Sequence, residues 1–357
     1  MAYYKKYINY FLNKSFKKIR WGYVVFFVTN QCNAKCRHCF YWQELNSGNE
    51  LNFREIEKIS KKLGKTQVLL LSGGEPFLRA DLFEIILLFI KHNGTKVVSI
   101  PTNGILTKKI VQVTTKLAKT YPQIIFSINP SIDALYKKND ELRGVAGSFD
   151  QAVKTIKELE KVRKNYRNVE IVVNTTISNY NYKDVDKLID FFKQFNITYH
   201  NFELLRGNPK EKSVLLPSLE EIKKIHLKAI KARNYYIKKN SGLLEKIIVL
   251  GVVKYTQYLK EKFLDTKKPW IKCSAGKNIV VLEPNGDVRL CELHPAIGNL
   301  REYNYNIEKI LKNKKANEQF NIIKKCGCTH VCFINMSIAN SKKSLFKIPY
   351  YFLQWRK

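Results

Sequence analysis

Apolar and polar positions along the chain follow two alternating periods, which predict strands and helices in turn. Six short runs rich in β-branched and aromatic residues predict buried strands near residues 22–29, 67–71, 96–101, 123–129, 168–177 and 198–205. Between them, segments such as 81–89 and 149–159 repeat apolar residues at helical spacing. Strands separated by helices pair in parallel through right-handed crossovers, so the pattern predicts an α/β fold of six repeating units.

The rest of the chain divides into segments of different character. Residues 207–269 are charged, follow a helical pattern and carry no catalytic signature, so we expect a helical bridge. A β-like run at 279–282, a Pro-Asn-Gly turn and a second short run predict a hairpin. The predicted organisation is an amphipathic N-terminal helix (1–21), a strand–helix domain (22–206), the bridge (207–269), a cysteine-rich unit (270–335) and a basic aromatic tail (336–357).

Both ends of the chain suggest contact with a membrane surface. A helix over the first residues would place apolar side chains on one face, namely Tyr4, Ile8, Phe11, Leu12 and Phe16. Residues 345–357 are aromatic and basic, and the two patterns together are typical of interfacial segments. Docking on an anionic membrane is one hypothesis, and packing of both ends onto the rest of the protein is the alternative. No run of ~20 apolar residues is present, so we expect no spanning helix.

The charge of the chain is strongly positive. It contains 63 Lys and Arg against 30 Asp and Glu, a net charge of +33, and such a field favours anionic partners. Without a recognisable nucleic-acid module or a concentrated basic stripe, we do not expect nucleic acid as a partner, although a tRNA-modifying role is a hypothesis. Biased lysine usage explains the even spread equally well. No signal peptide is recognised, so we expect a reducing, cytoplasmic location, peripheral to the membrane if the ends dock.

Eight cysteines lie in two clusters, and the first suggests a metal cluster with an open coordination position. Cys32, Cys36 and Cys39 follow the first predicted strand, and the aromatic Phe40 comes directly after them. Iron–sulfur cubanes are usually held by four thiolates, so a compact loop with three leaves one iron for a non-protein ligand. A three-cysteine zinc site or a set of buried free thiols is the alternative.

This loop resembles that of the radical SAM family, whose members carry the pattern Cys-x3-Cys-x2-Cys. The resemblance implies that Cys32, Cys36 and Cys39 are catalytic and hold a [4Fe–4S] cluster, to which S-adenosylmethionine (SAM) binds. It also implies a fold, a partial (β/α)6 TIM-like barrel with a small C-terminal cysteine-rich hairpin/helix extension. In such barrels the reactive loops lie at the carboxyl ends of the strands.

Further motifs after the predicted strands extend the resemblance to the SAM site. Gly73, Gly74, Glu75 and Pro76 match the turn that binds the SAM amino group in the family, although such a turn also occurs between ordinary strands and helices. The resemblance implies further SAM contacts from Phe40, Thr102, Asn103, Ser127, Asn129 and Arg143. Asn129 stands where the family often has aspartate followed by glycine, but here proline follows. A surface arginine in a turn is the alternative for Arg143.

The second cysteine cluster resembles the twitch or SPASM extensions of the same family. Five thiols belong to it: Cys273, Cys291, Cys326, Cys328 and Cys332. A full SPASM extension uses about seven, so the resemblance implies one auxiliary [4Fe–4S] cluster, with Cys326 as the spare thiol. A four-cysteine zinc knuckle is the alternative. His330 lies inside this cluster, and we expect it to support the ligands rather than to be one.

The resemblance implies an enzyme that cleaves SAM reductively and removes hydrogen from a substrate. A small substrate is expected, a carbohydrate, a cyclitol or a lipid-linked molecule, with oxidation through the auxiliary cluster. The second hypothesis is a maturase that modifies a peptide or protein, and the non-enzymatic alternative is an iron–sulfur carrier. A flavodoxin or ferredoxin is the implied reductant. No general base is identified, because Glu203, at the end of the sixth strand, fits a salt bridge equally well.

Overall fold

The computed structural model describes residues 19–238 and 242–354 of the 357-residue chain. The six predicted strands are present as β1 to β6, at Trp21–Thr29, Thr66–Gly73, Val97–Thr102, Ile125–Pro130, Val169–Ile177 and Tyr199–Leu204. Each pairs in parallel with the next along the chain. The expected α/β fold with a partial barrel is confirmed. The apolar N-terminal face predicted for 1–21 falls largely outside the described residues.

Helices follow the strands as the periodicity predicted. The barrel helices α1 to α6 span Phe53–Leu63, Leu82–Asn93, Thr107–Thr120, Tyr136–Arg143, Ser148–Asn165 and Val185–Lys193, with short 3-10 turns at Pro76–Leu78 and Tyr182–Asp184. In α2, the buried positions Leu82, Ile85, Ile86 and Phe89 recur at helical spacing, so one face of the helix packs on the sheet.

The first strand lies in the middle of the molecule. All nine residues of β1 are buried, which matches its nearly unbroken apolar sequence. On one side β1 pairs with β2, and on the other side it pairs in parallel with a strand from the C-terminal part of the chain, β7 (Ile279–Leu282). The loop that follows β1, which carries the first three cysteines, is therefore held by sheet on both sides.

The cysteine-rich unit continues the barrel sheet. The predicted hairpin is present, because β7 pairs antiparallel with β8 (Asp287–Arg289), and β9 (Gly298–Asn299) follows. The resulting sheet has the order β6-β5-β4-β3-β2-β1-β7-β8-β9. The sequence did not predict the β7–β1 pairing, so the boundary expected at residue 270 does not interrupt the sheet.

The predicted bridge consists of two long helices, α7 (Leu219–Lys238) and α8 (Leu243–Thr266). Five helices follow the hairpin, α9 to α13, at Ile307–Ile310, Lys314–Lys324, Val331–Ala339, Lys342–Leu345 and Lys347–Gln354. The predicted boundary between residues 335 and 336 falls inside the continuous and largely buried helix α11 (Val331–Ala339), and the domain division stays a prediction. Within the described ranges, no helix is long and apolar enough to cross a membrane.

Candidate active site

The three thiols of the first cluster line a single cavity at the carboxyl ends of the strands, which we call the outer cavity. It has a volume of about 260 Å³, and Cys32, Cys36 and Cys39 share its wall with Phe40. Burial is the main cause that raises the pKa of each thiol, to about 12 for Cys32 and about 11 for Cys39. Neighbouring thiols raise the pKa of Cys32 and Cys39 further, and Asp133 does so for Cys36. Three thiols whose negative charge is destabilised by burial are suited to bind a positively charged, thiophilic centre.

The glycine-rich turn after β2 lies directly against this cysteine loop. A Cβ atom on Gly73 would come within 2.1 Å of the Thr29 carbonyl oxygen, and one on Gly74 within 2.1 Å of the Gln31 carbonyl oxygen. The backbone N–H of Gly74 donates to the Thr29 oxygen at 2.9 Å. Glycine is therefore required at both positions, because any side chain would push the turn away from the loop.

Glu75 is buried and hydrogen-bonded within the protein. Its carboxylate accepts from Thr102 Oγ1 at 2.8 Å and from the backbone N–H of Asn103 at 2.7 Å, so it joins the ends of β2 and β3. Burial raises the pKa of Glu75 to about 7. Thr102 and Asn103 line the outer cavity together with Glu75, while Pro76 is buried behind them at the start of a 3-10 turn.

Arg143 approaches the cysteine loop as the motif suggested, but it has protein partners there. Its Nε lies 2.7 Å from Asp133 Oδ2, and its Nη1 donates to Cys36 Sγ at 3.8 Å. Asp133 Oδ2 also lies 3.5 Å from His38 Nε2. The side chain of Arg143 is only 9% exposed and that of Asp133 1%, so the surface alternative for Arg143 is wrong. The pair fixes the position of Cys36.

A second cavity, the inner cavity, lies inside the barrel and has a volume of about 220 Å³. Ser127 and Asn129 line it, whereas the thiols of the first cluster line the outer cavity. The Asn129 carboxamide lies 2.7 Å from Ser127 Oγ and 2.8 Å from Ser99 Oγ. The structure therefore separates these two predicted SAM contacts from the cysteine loop, and their role stays a prediction.

The two cavities adjoin each other. Five residues line both of them, Leu70, Pro101, Asn174, Glu203 and Arg206. Glu203 faces both cavities and lies 3.9 Å from Nζ of the fully buried Lys260, which agrees with the salt-bridge alternative for this residue. A group bound in the inner cavity would thus lie next to the contents of the outer one.

A chain of buried charges connects this shared wall to the second cysteine cluster. Arg206 Nε lies 2.8 Å from Glu292 Oε1, and the same oxygen lies 2.5 Å from His330 Nε2. Burial opposes ionisation of Glu292, but Arg206 and His330 outweigh it and hold its pKa at about 2. The supporting role expected for His330 stays a prediction, and Arg206 and Glu292 were not predicted.

The thiols of the second cluster face two different places. Cys273, Cys326 and Cys328 line a cavity of about 20 Å³. Burial raises the pKa of Cys291, and the charges of Glu292, Cys328 and Cys273 raise it further. Cys332 instead lines the inner cavity. The structure thus places the presumed spare thiol, Cys326, beside two predicted ligands, so the ligand set stays a prediction. Among the described residues, no three His, Cys, Asp or Glu side chains are grouped to hold one metal ion.

Comparison with known proteins decides between the hypotheses for the first cluster. The sequence profile of the Radical SAM superfamily matches residues 26–192, which include the cysteine loop, the glycine-rich turn and Arg143. Residues 26–192 of the chain belong to the radical SAM superfamily. The outer cavity fits the [4Fe–4S] cluster and SAM that this superfamily uses, because three soft thiol donors and the turn after β2 line the same space.

Relatives of this radical SAM chain have diverse names. It is 29% identical over 214 residues, 58% of its length, to Fe-coproporphyrin III synthase of Methanosarcina barkeri, and covers 50% of that protein. It is 24% identical to the antilisterial bacteriocin subtilosin biosynthesis protein AlbA of Bacillus subtilis, over 79% of the chain and 58% of AlbA. The chain thus spans about half the length of these curated relatives.

A solved structure agrees with the whole radical SAM fold described above. Native anSMEcpe with bound AdoMet and Cp18Cys peptide matches 92% of this chain and 95% of its own with a TM-score of 0.62, at 17% identity. At this identity the likeness shows the fold. Because the match covers 92% of the chain, it includes the C-terminal cysteine-rich unit as well as the barrel.

Proposed function

We propose that this protein is a radical SAM enzyme that acts on a substrate held in the inner cavity. The observation that carries the proposal is the shared wall, since Asn174, Glu203 and Arg206 border both the thiol site and the barrel interior. Cys32, Cys36 and Cys39 would hold the [4Fe–4S] cluster. When bound, the cluster and SAM supply one-electron reduction and hydrogen-atom abstraction.

The chain's own residues position these groups and exclude water. The Arg143–Asp133 pair fixes the position of Cys36. The turn at Gly73 and Gly74 gives backbone groups access to the outer cavity. Helix α8 covers the inner cavity with apolar side chains such as Val249 and Val252. An apolar cover limits the access of solvent to a reactive intermediate.

The second cysteine cluster would hold one auxiliary [4Fe–4S] cluster, on the side of the substrate that faces away from the first cluster. Cys332 lines the inner cavity, and Cys273, Cys326 and Cys328 line the small cavity next to it. Arg206, Glu292 and His330 connect this region to the thiol site. A flavodoxin or ferredoxin would supply electrons, and the net charge of +33 favours an acidic partner of this kind.

We infer that the substrate is a peptide or protein, which was the second of the two sequence hypotheses. The match to AlbA, a bacteriocin biosynthesis protein, covers 79% of the chain, whereas the match to Fe-coproporphyrin III synthase covers 58%. The solved structure that matches 92% of the chain contains a peptide. A small substrate remains the second candidate, because the synthase has the higher identity of the two relatives.

Reconstitution without oxygen tests the enzyme proposal. The protein is loaded with iron and sulfide, SAM and a strong reductant are added, and 5′-deoxyadenosine is quantified. Cleavage of SAM is expected from the wild type and is expected to fall to background in a Cys32→Ala/Cys36→Ala/Cys39→Ala variant. Cys326→Ala serves as the matched thiol control, since it leaves the first cluster intact. Absence of 5′-deoxyadenosine from protein with full iron content would instead favour the carrier alternative.

A further inference from the structure

We propose that the inner cavity binds a peptide amide of the substrate through Gln257 and an aliphatic side chain of the same residue through the apolar face of α8. The inference rests on the proposed function, and it adds the substrate groups that the cavity selects. It follows from one buried carboxamide oxygen without a hydrogen-bond donor among the described residues, from the arrangement of α8 and from the size of the cavity.

Gln257 is the group that indicates a ligand. Its side chain lines the inner cavity, and the residue is only 7% exposed. Within the described ranges 19–238 and 242–354, its Oε1 is buried and has no hydrogen-bond partner. A buried acceptor without a donor is unfavourable and rare, so a polar group that enters the cavity is expected to supply the donor.

The neighbours of Gln257 on α8 define the second half of the ligand. Ile248, Val249, Val252 and Val253 line the same cavity, and their spacing puts them on one face of the helix with Gln257 one turn further along. An apolar surface thus ends at a carboxamide. An aliphatic side chain attached to a peptide group has the same order of apolar and polar parts.

Further carboxamides line the inner cavity on the barrel strands. Asn174 Oδ1 accepts from Asn201 Nδ2 at 3.2 Å, and Asn201 Nδ2 also donates to Glu203 Oε1 at 2.9 Å. Asn174 lines both cavities, so a substrate paired with it lies at their junction. A carboxamide offers one donor group and one acceptor, which matches the N–H and C=O of a peptide group.

The cavity size limits what can bind. At about 220 Å³ the inner cavity is smaller than usual ligand pockets of roughly 300–1,000 Å³. It suits a group the size of one residue rather than a tetrapyrrole or a nucleotide. A cyclitol would fit by size, but any of its hydroxyl groups directed at Val249, Val252 and Val253 would lack hydrogen bonds, which is unfavourable.

Binding of small probes to the reconstituted protein tests this inference without turnover. The probes are N-acetyl-leucine N-methylamide, its glycine analogue and myo-inositol, and saturation-transfer NMR measures their affinity. We expect the leucine probe to bind about fivefold or more tightly than the glycine probe, because it adds apolar contact. Gln257→Met, which keeps the side-chain length, is expected to weaken binding of the leucine probe about fivefold.

Matched variants separate recognition from folding. Gln194→Met changes an exposed glutamine at the end of α6 and should leave all affinities unchanged. Val249→Thr keeps the shape of the wall and should reduce the preference for leucine over glycine, so it decides the question if Gln257→Met does not fold. Equal binding of the leucine probe by wild type and Gln257→Met, or tighter binding of myo-inositol, would overturn the inference.

The two proposals fail in different ways. Production of 5′-deoxyadenosine by a protein that does not bind the leucine probe would refute the substrate inference and leave the enzyme proposal standing. Specific binding of the probe by a protein that never cleaves SAM would refute the enzyme proposal instead.

Discussion

Asp133 shows how a single buried residue supports the cysteine loop. Its carboxylate lies between Arg143 and His38, while its Oδ1 accepts from the backbone N–H of Thr176 at 2.8 Å. Asp133 therefore links the loop after β4 to β5 and, through Arg143, to Cys36. The cysteine pattern alone does not reveal that the position of one ligand depends on a distant carboxylate.

Removal of the charge at Asp133 is expected to destabilise the protein strongly. In Asp133→Asn, the guanidinium of Arg143 stays buried without its counter-charge, and loss of one partner of a buried pair typically costs about 3–5 kcal/mol. Urea unfolding of the cluster-free protein, followed by circular dichroism, measures this loss. Iron content after reconstitution is expected to fall as well, because Arg143 no longer holds Cys36.

An exposed ion pair provides the control for Asp133. Asp190 lies 2.8 Å from Lys193 on the surface of α6, and Asp190→Asn is expected to change the free energy of unfolding by less than about 0.5 kcal/mol. Similar losses in both variants would show that the Asp133–Arg143 pair has no special role.

Residues were predictable where several of them formed a spaced motif. Cys32, Cys36 and Cys39, with Gly73 and Gly74, do line one cavity as the resemblance implied. Asp133 and Gln257 were not predictable, because each is a lone polar residue in an ordinary stretch of sequence. Their importance comes from burial and from partners far away in the chain, and neither is encoded in local spacing.

Elements were predicted well where the hydrophobic period was strong. The buried strand β1 and the amphipathic helix α2 match their predicted positions. The fourth strand was placed two residues early, at 123 rather than Ile125, because the preceding turn contains apolar Ile124. Pairing of β7 with β1 could not be predicted, since a short apolar run does not indicate which distant strand it joins.

The exposed side chains of helix α13 and of the residue before it are consistent with the membrane hypothesis for the C-terminal end. Ile348 and Tyr351 of this helix are buried against α8, which agrees with the packing alternative for one face. The other face leaves Phe346, Tyr350 and Leu353 exposed by 85, 55 and 65%. Lysines 342, 343 and 347 lie beside them, which suits an anionic lipid surface.

We expect this exposed face to bind anionic vesicles. Phe346→Ser/Leu353→Ser is predicted to reduce binding to phosphatidylglycerol vesicles about tenfold, because two large apolar side chains no longer enter the interface. Co-sedimentation at several lipid concentrations measures the partition. The double variant Leu215→Ser/Leu216→Ser changes two exposed leucines in the loop before α7 and serves as the control. Equal binding of wild type and Phe346→Ser/Leu353→Ser would contradict the hypothesis.

At the scale of the whole molecule, a buried carboxylate joins the two cysteine-bearing parts. Tyr41, just after the first cluster, donates to Glu283 Oε2 at 2.8 Å, and Arg289 Nε lies 3.1 Å from Glu283 Oε1. Glu283 follows β7 in the hairpin. The hairpin therefore contacts the cysteine loop through hydrogen bonds as well as through the sheet.

This contact predicts a pH dependence of stability. Burial raises the pKa of Glu283 to about 7, so the stability that this group contributes is complete below its ordinary value of 4.5 and decreases as the pH rises towards 7. In Glu283→Gln the decrease in the free energy of unfolding between pH 4.5 and 7 should be smaller by up to about 3 kcal/mol, since one pKa unit corresponds to 1.36 kcal/mol. Urea midpoints across this range measure the difference.

Glu318→Gln provides the control, because Glu318 is exposed on α10 and is not among the charges that shift the pKa of Glu283. It is expected to keep the wild-type pH dependence. A Glu283→Gln profile that parallels the wild type would show that the pKa of this carboxyl group does not differ between the folded and unfolded states.

The pairing of β1 with β7 also affects the order of events during synthesis. Tyr23 and Ile279 are neighbours in the sheet, yet at ribosomal rates of ~5–20 residues per second the second follows the first by roughly 13–50 seconds. Strand β1 is thus synthesised long before β7, and during that interval its edge is uncovered, with the three thiols of the first cluster beside it. Nascent chains of this protein are therefore expected to need a chaperone during that interval, and cluster insertion to follow translation.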